Sequence, residues 1–403
     1  MKLVIIGNGV AGVTTARYVT DRDPSIEVAL YSDESYPYYP RPRLIDLIAG
    51  DASPDAISFY PNDWYAKRGI DLHLGRCGVA LDPDAHRVTM DDGEVVDYGL
   101  LLLANGAHAW VPPIAGAGID GVFTLRSMED ALAIREHARS SRHVVVLGGG
   151  LLGLDLAHAI HAHQERVTVV ELLPRLLPRQ LDEEGAGVLQ SIIEHGGVHI
   201  LTGKTCTLIE GEGSVRRVHL KSGEVIETDM VIVSAGVRPN LELAQSGGLT
   251  CNKGVVVDER LRTSHPDVLA VGDVAEFNER VWGIIPAALA QARVAAAQIA
   301  GDAGVLYRDI VPSTTLKVTG IDVTSVGEAI PEHDGSVTEV RRSEPDAGIY
   351  EKLVVRDGQV VGAIFVGDRS NVGAVGQLMA RRVDVSPYLD TILKKGFDMR
   401  SLL

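Results

Sequence analysis

At 403 residues the chain is too long for a single hydrophobic core and is expected to divide into two or three domains. A formal charge of −16 leaves no basic footprint for a nucleic-acid partner and bears first of all on solubility. The three cysteines, Cys77, Cys206 and Cys251, have no CxxC or metal-ligand spacing, the start is not leader-like, and no apolar run reaches membrane-spanning length, so we expect a cytoplasmic protein with reduced, mostly buried thiols, no metal and no membrane partner.

The first element is an apolar strand, Lys2–Ile6, that runs into Gly7-Asn8-Gly9-Val10-Ala11-Gly12 and then a helix. In such a unit Gly7 permits the tight bend, Gly9 lets the backbone approach a pyrophosphate, and Gly12 lets helix and strand pack closely. The pyrophosphate rests on the helix N-terminus, where unpaired N–H groups and the dipole favour negative charge. The next strand, Val28-Ala29-Leu30-Tyr31, ends in Ser32-Asp33-Glu34, and either Asp33 or Glu34 is placed to reach an adenosine ribose. A further apolar strand closes in the small-residue turn Ala104-Asn105-Gly106.

The same design then recurs. The strand His143–Leu147 runs into Gly148-Gly149-Gly150-Leu151-Leu152-Gly153, with Gly148, Gly150 and Gly153 in the three fingerprint places. The following strand, Val167-Thr168-Val169-Val170, delivers Glu171 close to the spacing expected of a ribose 2′-OH acceptor. A carboxylate there repels a 2′-phosphate, so NADH is expected over NADPH, with Arg175 and Arg179 nearby leaving NADPH open. Two fingerprints in one polypeptide imply two dinucleotides held together so that electrons pass between them.

Met230-Val231-Ile232-Val233-Ser234-Ala235-Gly236, leading to Asn240, repeats the strand-and-turn of residues 98–106, and both read as places where the chain crosses between domains. Val268-Leu269-Ala270-Val271 is a buried strand finished by Gly272-Asp273, where a carboxylate can accept a hydrogen bond from a ribityl hydroxyl. Pro286 then stands near a helix start, a place where its missing N–H is not needed. From residue 312 to the end, strand-like stretches at 314–319, 323–326, 352–355 and 360–366, turns at Asp334-Gly335 and Asp357-Gly358, and helical patterns at 375–382 and 388–394 read as a small α+β domain. The basic pairs Arg341-Arg342, Arg381-Arg382 and Lys394-Lys395 read as solvated surface, with a docking patch for an acidic protein as the alternative.

Taken together, the two fingerprints, the Ala104-Asn105-Gly106 turn, Glu171, the 235–240 stretch and Gly272-Asp273 resemble the pyridine nucleotide–disulfide oxidoreductase superfamily over essentially the whole chain. The resemblance implies an α/β fold of two Rossmann-like domains for FAD and NAD(P)H plus a small C-terminal α+β domain. Its expected limits are 1–109 with 241–311 for FAD, 110–240 for NAD(H), and 312–403. Within the superfamily, Tyr38-Tyr39-Pro40-Arg41-Pro42-Arg43-Leu44-Ile45-Asp46, Asn62-Asp63-Trp64-Tyr65, residues 272–277 and Leu316-Lys317-Val318-Thr319-Gly320-Ile321 resemble NADH:rubredoxin oxidoreductases, the last also the flavoprotein part of assimilatory nitrite reductases.

On that resemblance Arg41, Pro42, Gly78, Arg126 and Gly236 join the candidate cofactor-binding residues, and the dipole of the helix opened by Pro286 points at the flavin. Thiol-using relatives carry cysteine beside the flavin where this chain has Arg41-Pro42-Arg43, so electrons are expected to leave the flavin directly. Oxygenase-system ferredoxin reductases pair a lysine with a glutamate there; this chain has Asp46 and Asp155, which, if close together, would push one pKa up and let a protonated carboxyl donate to the flavin, the alternative being that Asp46 simply faces solvent. The implied activity is an NADH dehydrogenase that hands single electrons from FAD to a small iron or iron–sulfur protein, rubredoxin favoured, acting as monomer or homodimer. An electron-input component for a ferredoxin, nitrite reductase or oxygenase system and a noncatalytic NADH-sensing flavoprotein are the alternatives.

Overall fold

A computed structural model describes residues 1–163, 166–309, 313–318, 320–331 and 335–403; Pro312, Thr319 and Asp334 lie outside the described residues. The chain divides into two compact units. One joins Met1–Trp110 with Arg126–Leu132 and Gly236–Ile310, the other Val111–Leu125 with Ala133–Ala235 and Val311–Leu403.

The first unit is built on a five-stranded parallel sheet in the order Val268–Ala270, Leu100–Leu103, Lys2–Ile6, Glu27–Ser32, Ile70–Leu74. Leu3 faces Val28 on one side and Leu100 on the other. Leu3, Val4, Ile5, Leu101, Leu102 and Leu103 have no exposed surface. A parallel strand covered on both faces is apolar at every position, which is why these runs stand out in the sequence. The alanine-rich helix Ile285–Ile299 packs on Val10–Arg22, its Ala292, Ala295 and Ala296 fully buried. A short antiparallel ribbon, Ala107–Ala109 with Val237–Pro239, joins the two crossing segments.

The second unit repeats the parallel design in the order His199–Leu201, Arg166–Val170, His143–Leu147, Met230–Val233, Val122–Phe123. Its other part is a five-stranded antiparallel sheet in the order Ser313–Val318, Ile321–Gly327, Gln359–Val366, Ile349–Arg356, Thr338–Glu344, with helix Val372–Arg381 packed through Val375 and Leu378 on Leu353 and Phe365. Asp357 and Gly358, at φ of 50° and 78°, form the two-residue turn of its central hairpin.

One local expectation fails in this C-terminal part, and one strand carries no sequence signal. Residues 388–394 are not a helix: a 3-10 turn at Ser386–Tyr388 gives way to turns that bury Ile392 and Leu393 as a pair, because Pro387 and Gly396 bracket too short a run to propagate a helix. Thr338–Glu344 is a strand that its polar sequence conceals; as the edge of the sheet it carries charge, held by the register Arg342↔Glu351. Arg341 and Arg342 consequently face Glu339, Glu344 and Glu351 in ion pairs, so this basic pair is no free docking patch.

Candidate functional site

Each fingerprint glycine has its own physical reason. At Gly7, with φ of 112°, a β-carbon would lie 2.2 Å from the Ala104 carbonyl oxygen, and at Gly12 1.9 Å from that of Gly7. Gly148, with φ of 126°, would meet the Ser234 carbonyl oxygen at 2.2 Å, and Gly153 that of Gly148 at 2.0 Å. These four are required by the fold itself. Gly9 and Gly150 differ, for nothing lies within 4 Å of a β-carbon at either. Both are helix N-caps whose first turn has no side-chain cap, so the donors of each helix end face open space.

Around the first fingerprint, six sequence candidates converge. Glu34 pairs with Arg41 at 3.0 Å and accepts hydrogen bonds from the Tyr39 hydroxyl and, at 3.1 Å, from the Met128 N–H. Burial pushes the Tyr39 phenol well up, Arg41 opposing and Glu34 adding to the shift, so its proton stays on to donate. Arg41 also donates to the Arg126 carbonyl, and Arg126 Nη2 lies 2.8 Å from Asp273 Oδ2. Gly106, with φ of 66°, adjoins the Arg126 guanidinium, and the Gly272 N–H donates at 2.7 Å to Gln291, a side chain only 2% exposed.

Ala104, Asn105 and Gly106 form the wall opposite Gly7. Asn105 Nδ2 donates to the Asn240 carbonyl at 3.0 Å and Asn240 Nδ2 returns to that of Asn105 at 2.7 Å, so the two crossing segments lock each other. Gly236 follows with φ of 98° and open space beside it. Pro286 lies in the first turn of its helix, exposed and without a side-chain cap. Asp33 is exposed and caps the Glu34 N–H, Pro42 is exposed within the 3-10 turn Arg41–Arg43, and Gly78 packs against Leu243 and Val88. Asp46 meets Arg43 at 3.0 Å on the same turn of chain, while Asp155 lies on helix Leu151–His161 of the other unit.

At the second fingerprint Glu171 is 8% exposed. Its carboxylate accepts the Gly149 N–H at 2.6 Å and the Leu173 N–H at 2.7 Å. Two bonds occupy about half of what a carboxylate accepts, which leaves capacity for ribose hydroxyls. Arg175 turns inward, donating to the Leu181 carbonyl at 3.1 Å and that of Pro178 at 3.3 Å. The middle glycine of the run, Gly149, is explained by Leu176 and Glu171, which a β-carbon would meet at 2.7 and 3.0 Å.

Tyr39, Gln291 and Asn8 are site residues that local spacing did not yield. Asn8 stands inside the fingerprint, and its Oδ1 takes the Tyr65 hydroxyl at 3.1 Å. Three polar atoms in this neighbourhood, Asn8 Nδ2, Asn105 Oδ1 and Arg126 Nε, are buried without a partner. Open cradles at Gly9 and Gly150, uncapped helix ends and these orphaned atoms fit two bound dinucleotides. Among the described residues no group of three or more His, Cys, Asp or Glu could hold a metal ion, and no helix is long and apolar enough to cross a membrane.

Comparison with known proteins agrees with this geometry. Residues 1–304 match the family "Pyridine nucleotide-disulphide oxidoreductase" and residues 312–383 the family "Rubredoxin NAD+ reductase C-terminal domain". The assimilatory nitrate reductase electron transfer subunit of Bacillus subtilis is 32% identical over 386 residues, 96% of this chain and 50% of that protein. The NADH-rubredoxin oxidoreductase of Clostridium acetobutylicum is 30% identical over 391 residues, 97% of this chain and 96% of that protein. Putidaredoxin reductase, solved in its covalent complex with putidaredoxin, superposes with a TM-score of 0.88 at 27% identity, covering 100% of this chain and 97% of that one. The chain spans about half the length of the nitrate and nitrite reductase relatives it matches.

Proposed function

This chain belongs to the pyridine nucleotide-disulphide oxidoreductase family, whose cofactors are FAD and NADH, and from that premise we propose that it passes electrons from NADH through FAD to a small iron-containing carrier, with rubredoxin as the acceptor. The observation that carries the acceptor is the match of residues 312–383 to the C-terminal domain of rubredoxin reductases. Bound FAD supplies the conversion of a hydride donor's electron pair into single electrons.

The protein's own part is binding and electrostatics. The Gly9 turn and the N-terminus of helix Val10–Arg22 take the FAD pyrophosphate, and the Glu34–Arg41 pair with Asp33 flanks its ribose. Arg126 fixes Asp273, whose carboxylate accepts a ribityl hydroxyl. The uncapped end of helix Ile285–Ile299 offers a dipole worth about 0.3–2 kcal/mol to negative charge on the flavin. Gly150 and Glu171 hold the pyrophosphate and ribose of NADH. Asp46 is the proposed carboxylate on the flavin's side of the first unit, half-exposed and paired with Arg43.

No thiol relay is invoked. Against the expected burial, Cys77 is exposed and Cys206 and Cys251 are half-buried; partial desolvation still pushes all three thiols up, with neighbouring carboxylates adding to this at Cys77 and Cys251, so none is poised as a thiolate. The similarity to longer nitrite reductases favours a second reading, an electron-input part for a nitrite-type enzyme. The test is NADH-driven reduction of purified rubredoxin by the wild type and by a Cys77→Ser, Cys206→Ser, Cys251→Ser variant. Equal turnover of both supports the direct route. Loss of turnover in the variant contradicts it, and inert rubredoxin moves the assignment to the second reading.

A further inference from the structure

The loop that carries Glu171 is tied down at both ends. At its start, besides the two Glu171 bonds, the Leu177 N–H donates to the Gly149 carbonyl at 3.3 Å, with Leu177 at φ of 46° and buried. Arg175 spans the loop from inside through the Leu181 and Pro178 carbonyls. At its end Asp182 caps helix Glu183–His195, one oxygen accepting the Gly185 N–H at 3.0 Å.

The other oxygen of Asp182 belongs to the C-terminal sheet. The Tyr350 hydroxyl donates to it at 2.6 Å and Lys352 Nζ lies 3.1 Å away. Lys352, its side chain 2% exposed, also holds Glu339 at 2.7 Å. The Tyr350 ring lies so close to the helix that a β-carbon on Gly185 would sit 2.9 Å from it. Beside this cluster opens a cavity of about 440 Å³ lined by Arg175, Glu339, Arg341 and Lys352 among others.

The C-terminal sheet already has an apolar core of its own through Leu353, Phe365 and Leu378, and a buried ion pair adds little stability over apolar packing. What a buried, fully bonded cluster supplies is a fixed position. We propose that Tyr350 and Lys352 are positioning residues for the nicotinamide dinucleotide: acting through Asp182, they set the loop of residues 171–182, and with it Glu171 and the Gly149 backbone. The C-terminal sheet, matched to rubredoxin reductases, thereby tunes the affinity for the electron donor. This rests on reading Glu171 as the ribose acceptor.

The experiment measures NADH and NAD+ dissociation constants and the saturating rate of flavin reduction on the intact, flavin-loaded protein. Tyr350→Phe removes one hydrogen bond and keeps the ring, and should weaken NADH binding about threefold; Lys352→Met should weaken it about tenfold, with the saturating rate within about twofold of wild type. Lys352→Arg, with the cavity to accommodate it, should restore most of the affinity. Asp182→Asn keeps a good helix cap while losing the charge that holds Lys352, and should behave like Lys352→Met. Hydrogen exchange over residues 172–181 should rise in the weakened variants.

Unchanged NADH affinity in both Tyr350→Phe and Asp182→Asn would overturn the proposal, even if Lys352→Met failed to fold. A parallel fall in melting temperature and saturating rate, with no change in affinity, would mark the cluster as structural only. Glu171→Gln is measured alongside: if it leaves the affinity for NADH untouched, the ribose-acceptor reading fails, whatever the Tyr350 variant shows.

Discussion

At residues 7–12 and 148–153 the chain builds one turn twice, down to the clash a methyl group would meet: 2.2 Å from the Ala104 carbonyl oxygen at Gly7, and 2.2 Å from that of Ser234 at Gly148. The acids that follow go different ways. Glu34 is gathered into side chains, with Arg41 and Tyr39 upon it and the Arg126–Asp273 pair beyond. Glu171 folds back onto backbone, bonded to Gly149 of its own fingerprint and to Leu173. On the proposed reading, phosphate recognition is a property of backbone geometry and so repeats, while the part that tells one nucleotide from another is built from side chains and diverges.

The largest effects should come from breaking the shared turn. Gly7→Ala or Gly148→Ala forces a side chain into a carbonyl oxygen at positive φ, and should remove about 3 kcal/mol or more of stability, read by thermal or urea unfolding. Gly9→Ala and Gly150→Ala meet open space and should fold normally. The former should shed flavin on gel filtration, whereas the latter should keep its flavin spectrum and lose NADH affinity by about tenfold or more.

The acids sharpen the contrast at smaller scale. Glu171→Gln should lower kcat/KM for NADH about tenfold and that for NADPH much less, since the substitution also removes repulsion of a 2′-phosphate. Asp273→Asn leaves the Arg126 guanidinium, which it meets at 2.8 Å, without its counter-charge, and should raise the flavin dissociation constant about fivefold with the NADH preference unchanged.

The smallest effect is one of pH. Burial pushes Asp182 up, but Tyr350, the Gly185 N–H and Lys352 outweigh it, and its carboxyl sits below the ordinary value of 3.8. A carboxylate depressed on folding contributes stability at every pH above its unfolded value and loses it as pH falls through the lower folded one. NADH affinity should therefore stay flat through the neutral range as far as Asp182 is concerned and weaken in acid, a step that Asp182→Asn makes smaller, as binding titrations at fixed ionic strength would show.

How much of this was legible in the sequence follows the same division. The strands Lys2–Ile6 and His143–Leu147 are continuous apolar runs because both their faces are covered, and the glycines mark backbone demands that no other residue meets. The edge strand Thr338–Glu344 was hidden because an edge carries charge where a central strand carries valine. Tyr39 on Glu34, Gln291 on Gly272 and Lys352 on Asp182 were hidden for another reason: each joins elements whose meeting depends on the folded chain and leaves no local periodicity. Only Gly149 left a readable trace, as the middle of three consecutive glycines.

On the proposed function, electrons run from NADH through the flavin to rubredoxin with no thiol between. Anaerobic stopped-flow tests it most directly: the flavin-loaded protein is reduced with NADH, then mixed with oxidised rubredoxin while flavin and iron absorbance are followed together. Flavin reoxidation and rubredoxin reduction should occur in one phase at the catalytic rate. Prompt reduction by NADH followed by a flavin that stays reduced in the presence of rubredoxin would contradict the proposed function.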